Sequence, residues 1–367
     1  MQITIHKNKL KDAVDKLRSS LHAGAVNPIM EHFLFEVKSN TLVVKSTNNY
    51  ISTIWETKID SPDDFTFTLP GLTLSSLVSS LEQEDVVISY LKENNDVTLT
   101  CGKYSWEAIS GNIDDYPRIV IPEDLKEISL PENFTDMLKT VYFSISNDVS
   151  KPDLNSLCID INKEGDGNIS LISTDRIRLS CAVSPFSFGD NYLRFVIPRS
   201  SASEILKLEP TDLLFNEDKN IIYFKKEDES GKFILRTTLT NATYPEIYDY
   251  LNKKFEEDTV EFKKSDLVKA LKRIKVTSDK IDKVGTVAFT KDKITITSLS
   301  SSSKSKEEVD INMGTIEEIP NPFNIKLDLM LEYLNQESEE KVNFKIVNNQ
   351  CLVFDKKGYR HVLSIER

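Results

Sequence analysis

The feature that most limits what this chain can become is a strand that runs directly into an amphipathic helix, a unit that occurs six times. In "ITIHKNKLKDAVDKL", Ile3 and Ile5 alternate as in a half-buried strand, and Leu10, Val14 and Leu17 then recur at helical spacing. In "FTFTLPGLTLSSLVSSL", Phe67 and Leu69 alternate, Pro70 ends the pairing, and Leu74, Leu77, Val78 and Leu81 form one helical face. Proline suits such a junction because its fixed backbone ends a strand and pre-sets a first helical turn. The same grammar returns in "EISLPENFTDMLKTV", "RFVIPRSSASEILKL", "TVEFKKSDLVKALKRI" and "PFNIKLDLMLEYL". The anchors just after each strand, His6, Pro70, Pro131, Pro198, Lys263 and Lys326, fall 61 to 67 residues apart. That is an internal period.

Between the helices, runs such as "HFLFEVKSNTLVVKSTNNYISTIWETKI" alternate and break at Asn, Asp, Ser and Gly, as antiparallel meanders with short hairpins do. Each unit is therefore βαβββ-like. The phrase "DYPRI" at Asp115–Ile119 is echoed by "TYPEI" at Thr243–Ile247, at the end of every second unit. One Tyr-Pro pair would be an ordinary turn; its place in the period makes two units one domain. The sequence predicts an α+β chain of three similar domains, 1–125, 126–253 and 254–367.

A length of 367 residues fits this, since it exceeds one ordinary hydrophobic core. With 11 Gly and 13 Pro and no Gly/Ser-rich or Pro-rich tract, the domains are expected to abut. The cysteines Cys101, Cys158, Cys181 and Cys351 stand singly and read as reduced, mostly buried thiols. The N-terminus lacks a signal-peptide core and no stretch of about 18 apolar residues occurs, so a cytoplasmic, nucleoid-associated protein is expected. A net charge of −12 argues against nucleic-acid binding unless the lysines are concentrated locally.

In order and spacing, "DYPRI", "TYPEI", "STDRIRLS" at Ser173–Ser180 and "VIPRSSASEILKL" at Val196–Leu208 resemble the bacterial sliding clamps, the β subunits of DNA polymerase III. The resemblance spans essentially the whole chain. It implies a head-to-tail homodimer closed into a ring, with helices on the inner face and antiparallel sheets outside. Duplex DNA passes through without sequence preference, while the DNA polymerase, the clamp loader and other clients dock by short peptides. It implies no catalysis and no cofactor. Closure would hold such a ring on DNA topologically, so long-range positive potential suffices and tight contact is unnecessary.

On the fifth helix of the repeat, Leu267, Leu271 and Ile274 share one face and Lys269, Lys272 and Arg273 the opposite one. On the first, Lys9, Lys11, Lys16 and Arg18 flank a strip that also holds Asp12 and Asp15, and the third and fourth offer Lys139, Arg199 and Lys207. These are the candidate DNA-facing cations; the alternative is the ordinary solvated side of an amphipathic helix. Members of the family commonly place an arginine in the loop after the first helix, where this chain has Gly24. In domain two, Asn147 and Lys151 of "SISNDVSKP" are offered for the same purpose.

The resemblance places a client-peptide pocket at Leu154, Thr174, Arg176, Ile177, Arg178, Leu179, Pro245, Val362 and Leu363. Leu154 and Leu179 could equally be core beneath a loop. Arg176-Ile177 replaces the family's usual Gly-His and "LSIER" replaces its usual C-terminal ending, so an altered peptide preference is expected, as in a phage, plasmid or second cellular clamp. Ring closure would pair the edge "CGKYSWEAIS", with Lys103 and Trp106, against Ile274, Val276, Glu307 and Glu308 of the other subunit. Trp106 is either an interface anchor or core.

Two alternatives stand beside this reading. One is a monomeric adaptor that kept the fold without ring closure. The other is a magnesium-dependent nuclease using paired acids such as Asp114-Asp115 or Glu256-Glu257, but these lack any supporting constellation. The four histidines, His6, His22, His32 and His361, show no metal-ligand spacing, and no phosphate loop or nucleophile elbow occurs.

Overall fold

The computed structural model describes residues 1–366 except 22–23, 25, 83–84, 188, 190, 217–219, 252–258, 301–302, 315–318 and 349, so that His22 and Glu256-Glu257 lie outside the described residues. All six repeat anchors sit at strand-to-helix junctions. The helices that follow them are α1 (Lys7–Leu17), α2 (Gly71–Ser80), α3 (Phe134–Tyr142), α4 (Arg199–Leu208), α6 (Lys264–Thr277) and α7 (Leu327–Gln336). A short α5 (Tyr248–Leu251), unforeseen in the sequence, follows the second Tyr-Pro.

The chain condenses into two compact units, Met1–Thr135 with Ser200–Thr240 and Asp136–Arg199 with Asn241–Arg367. In the first unit, an eight-stranded antiparallel sheet runs from the strand Phe65–Pro70 through His32–Lys38, Thr41–Thr47 and Ile51–Lys58 to Gly231–Thr238, Ile221–Asp228, Asp212–Phe215 and Lys126–Ser129. Phe233 pairs with Trp55, so the ladder crosses the predicted boundary at 125/126 without a break. Trp55 is wholly buried, stacks on Phe233 at 6.4 Å and donates its indole N–H to the Ser230 carbonyl at 2.9 Å. That approach requires the glycine that follows. Gly231 has φ +130°, and a Cβ there would lie 2.4 Å from the Glu56 carbonyl oxygen.

A second sheet of the first unit has the order Gln2–His6, Asp85–Leu91, Asp96–Cys101, Tyr104–Ile109, so its last strand is an edge. Helix α1 buries Leu10, Ala13, Val14 and Leu17, as its period predicts, each large side chain contributing about 1.5–3 kcal/mol. The many serines of α2 satisfy themselves: Ser75, Ser76 and Ser79 each donate to the carbonyl four residues back. The paired acids Asp114 and Asp115 form a single 3-10 turn, which Asn112 caps through its side chain.

The second unit contains a twelve-stranded sheet in which Arg178–Pro185 pairs with the last strand, Tyr359–Ser364, again crossing a predicted boundary, at 253/254. Helices α6 and α7 close a core of this unit, with Leu267, Leu271, Ile274, Met330 and Leu334 among the buried residues. None of the four cysteines is in a disulfide, three of them are buried, and burial pushes the Cys181 thiol up to about 12.

Candidate functional site

The segment Thr174–Leu179 forms a tight loop because its polar side chains replace backbone partners. Thr174 Oγ1 donates to the Arg178 carbonyl at 2.7 Å and accepts from the Arg176 amide at 3.1 Å. Asp175 Oδ1 accepts from the amides of Ile177 and Arg178 at 3.0 and 2.9 Å. The turn places Arg176 at φ +78°.

Beside this loop lies a cavity of about 310 Å³, within the size range of ligand sites. It brings together Thr174, Arg176, Ile177, Arg178, Leu179, Pro245 and Val362, as expected from the sequence, and adds Ile247, Gln350, Cys351 and Ser364. Strand alternation explains the floor. Leu179 pairs with Val362, and Cys351 pairs with Ser364 on the last hairpin. The linker forms the wall because Tyr244 donates its hydroxyl to the Ile172 carbonyl at 3.0 Å, which fixes Pro245 and Ile247 beside the sheet.

A second anchor follows at α5. Tyr248 donates to Asp160, which also receives Tyr192 at 2.8 Å and two bonds from Arg194 at 2.8 and 3.0 Å. Burial works against the charged form of Asp160, but the bonds from Arg194, Tyr248 and Tyr192 outweigh it and hold the carboxyl below its ordinary range.

Two expected pocket residues do not reach the cavity. Leu154 is 1% exposed and Leu363 0%, and both side chains are committed to the core. Arg178 lines the cavity, yet its charge is compensated: Nε meets Asp175 at 2.9 Å, Nη1 meets Glu332 at 2.5 Å, and the guanidinium lies over Phe143. Glu332 on α7 is invisible as a partner in the sequence because 154 residues separate it from Arg178. The missed Ile247 belongs to the "TYPEI" phrase itself, so the period could have found it; Gln350, Cys351 and Ser364 depend on hairpin register, which the sequence leaves open.

The helix cations divide by partner. Among the described residues, Lys9, Arg18, Lys269 and Lys272 have no ion pair. Lys11 meets Asp15 at 3.7 Å, Lys151 meets Asp148 at 3.0 Å, and Lys139 and Lys207 pair with acids three residues earlier. Lys16 pairs with Asp12 and lies 4.4 Å from the Phe233 ring centre, so it covers the sheet instead of projecting freely. Arg199 bonds the carbonyls of Tyr142 and Ile145 at 3.2 and 2.6 Å and stacks on Tyr142, a helix-fastening role in place of the expected exposed one. Arg273 is exposed but forked onto Glu307. Asn147 is exposed in its loop, and Gly24 has φ +73° with open space where a Cβ would stand.

At the edge strand Tyr104–Ile109, Trp106 is half-buried opposite Leu99, and Lys103 is exposed in the preceding turn. Val276 is 84% exposed at the end of α6, whereas Ile274 is 0% exposed and packs inward, which removes it from any surface contact. Glu307 and Glu308 lie on Lys304–Asn312, where hydrogen bonds from Arg273 to the first, and from Lys306 and Lys293 to the second, lower both carboxyls. Among the described residues no group of three or more His, Cys, Asp or Glu could hold a metal ion, and no helix is long and apolar enough to cross a membrane.

Residues 1–120 match the family described as DNA polymerase III beta subunit, N-terminal domain. The beta sliding clamp of Chlamydia pneumoniae is 21% identical over 356 residues, covering 94% of this chain and 93% of that protein. The beta sliding clamp of Helicobacter pylori strain J99 is 23% identical over 70% of this chain and 68% of its own. Among solved structures, the DNA polymerase III beta subunit of Thermotoga maritima superposes with TM-score 0.87 at 18% identity, covering 100% of this chain and 99% of that one. The Pseudomonas aeruginosa sliding clamp bound to griselimycin gives 0.88 at 15% identity, again over 100% and 99%. At these identities the likeness to solved structures establishes the fold, three sheet-rich domains of the DNA-clamp type.

Proposed function

We propose that the chain is a divergent member of the bacterial DNA polymerase III beta subunit family, a DNA sliding clamp that encircles duplex DNA as a homodimeric ring and tethers a polymerase and other clients. The observation that carries this reading is the superposition over the full length of both chains, at TM-scores of 0.85 to 0.88. It is joined by the sequence match of residues 1–120. The edge strand Tyr104–Ile109 offers unpaired backbone groups, and the stretch Lys304–Asp310, paired with Lys293–Leu299 on one side only, offers a second edge for strand addition between copies, Ile311 and Asn312 being taken by Val260–Lys263.

In this reading Lys269 and Lys272 on α6, with Lys9 and Arg18 at α1, supply the potential that centres the phosphate backbone. Their freedom from acid partners supports that role in a chain of net charge −12. The cavity beside Thr174–Leu179 takes the apolar side chains of client peptides, including those of a clamp loader. Its mixed lining favours clients of a divergent replication system. The protein performs no chemistry; it acts by confinement in the cytoplasm.

Two measurements test the proposal in order. Solution molar mass should correspond to a dimer; a monomer at every accessible concentration would favour the adaptor reading. After loader-dependent placement, the protein should be retained on closed circular DNA and lost when the circle is cut. Equal retention on both forms would exclude topological binding.

A further inference from the structure

The loop beside the cavity has a counterpart in the first unit, Thr47–Ser52, built with the same hydrogen bonds. There Thr47 Oγ1 donates to the Ile51 carbonyl and accepts from the Asn49 amide, while Asn48 Oδ1 accepts from the amides of Tyr50 and Ile51. Each loop is followed by a matching tyrosine strut: Tyr116 donates to the Lys45 carbonyl and Tyr244 to that of Ile172, each carbonyl two residues before its loop threonine. Both loops need a left-handed residue at the same step, and the residues found there are Asn49 at φ +73° and Arg176 at φ +78°.

Asparagine enters that conformation readily; a long L side chain does so with strain. Strain at one residue, where an equivalent turn manages without it, points to a task for that side chain. Arg176 is well placed for one. Its side chain is 70% exposed at the cavity rim, and its partner is a single Asp153 oxygen at 3.5 Å. The other cavity-lining cation, Arg178, is 5% exposed and held by two carboxylates. Positive charge available to an incoming ligand therefore comes from Arg176.

We propose that Arg176 is a specificity-determining residue that selects client peptides carrying a carboxylate next to their apolar anchors, an inference that rests on the cavity being the client site. The apolar side chains sit against Ile177, Leu179, Pro245 and Val362, while the peptide carboxylate displaces the long interaction with Asp153 and forks onto the guanidinium. Charge complementarity at a rim contributes modest affinity and sharper discrimination.

The test uses the full-length protein and two fluorescein-labelled peptides with the same Leu-Leu-Phe stretch, one flanked by two aspartates and the other by two asparagines, read by anisotropy. The wild type should bind the acidic peptide about three- to fivefold more tightly, as for an exposed ion pair, with the preference shrinking as salt is raised. Arg176→Asn, which reproduces the residue of the first-unit loop and keeps its backbone, should lose the preference, so that the acidic and neutral peptides bind alike. Asp153→Asn should enlarge the preference. Binding of both peptides without preference, or an undiminished preference in Arg176→Asn, overturns the inference and leaves the client site intact. If neither peptide binds the wild type, the client-site reading fails and the inference falls with it.

Discussion

Arg273 and Glu307 form a two-pronged ion pair, Nε to Oε1 at 2.5 Å and Nη2 to Oε2 at 2.8 Å, that ties the exposed face of α6 to the strand Lys304–Asn312. One residue was expected to face DNA and the other a partner subunit; each instead compensates the other. Among the described residues, Lys269 and Lys272, one turn apart, are thus the cations of this helix with neither an ion pair nor a hydrogen bond, while Lys264 donates to the Glu337 carbonyl and Asp266 is an acid without an ion pair.

Weak binding to short linear duplex should therefore divide unequally among these cations. Replacing Lys269 and Lys272 by Gln should weaken association and flatten its dependence on log salt concentration by roughly two, about one for each phosphate no longer neutralised. Arg273→Gln, which uncovers the Glu307 carboxylate, should weaken binding modestly. Glu307→Gln, which releases the Arg273 charge, should strengthen binding. Anisotropy titrations at several salt concentrations read all three, and an unchanged slope in the double lysine variant would remove α6 from the DNA-facing surface.

Trp106 offers a test of the proposed ring closure. If the Tyr104–Ile109 edge joins a second copy, Trp106→Ala should move the species in sedimentation from dimer toward monomer at low micromolar concentration. An unchanged mass would return Trp106 to a purely local packing role against its own sheet.

His361 carries a pH signature. Burial, reinforced by the positive charge of Arg178, lowers its pKa from the ordinary 6.5 to about 3 in the folded protein. The ring stacks on Tyr333 at 4.7 Å and meets the Ser180 hydroxyl at 2.8 Å. Because the unfolded chain binds the proton more readily, the contribution is complete above pH 6.5 and is lost as pH falls from there toward about 3. Between pH 7 and pH 5 the loss amounts to about 2 kcal/mol. Denaturant midpoints of His361→Phe should be that much less sensitive to the same pH change than those of the wild type.

Gly231 is the backbone counterpart. With φ +130° and the Glu56 carbonyl in the path of a Cβ, Gly231→Ala should destabilise the first unit by about 2–3 kcal/mol, visible as a lowered denaturant midpoint with an unchanged slope. Preservation of the midpoint would mean that the hairpin re-registers freely against Ile51–Lys58.

Much of this molecule was legible because its strongest signals are local. Pro70 and Pro198 mark helix starts by backbone chemistry, and the Leu10, Val14, Leu17 and Leu267, Leu271, Ile274 patterns fix which helix faces turn inward. The same pattern places Ile274 in the core, away from any surface. What stayed hidden depends on distant partners: Glu332 meeting Arg178, Phe233 beneath Lys16, and the carbonyls that occupy Arg199. A charge can be counted along a chain, but its compensation is a property of the fold. Helix α5 was missed because four residues are too few to show a period.

The unbroken ladders from Ile51–Lys58 into Gly231–Thr238 and from Arg178–Pro185 into Tyr359–Ser364 have a mechanical consequence. Each covalent tether is bypassed by a row of parallel fasteners that must fail together before the neighbours can swivel. Cutting the backbone near Val120 would leave the flanking pieces locked, because the ladder between Ile51–Lys58 and Gly231–Thr238 carries the connection without it.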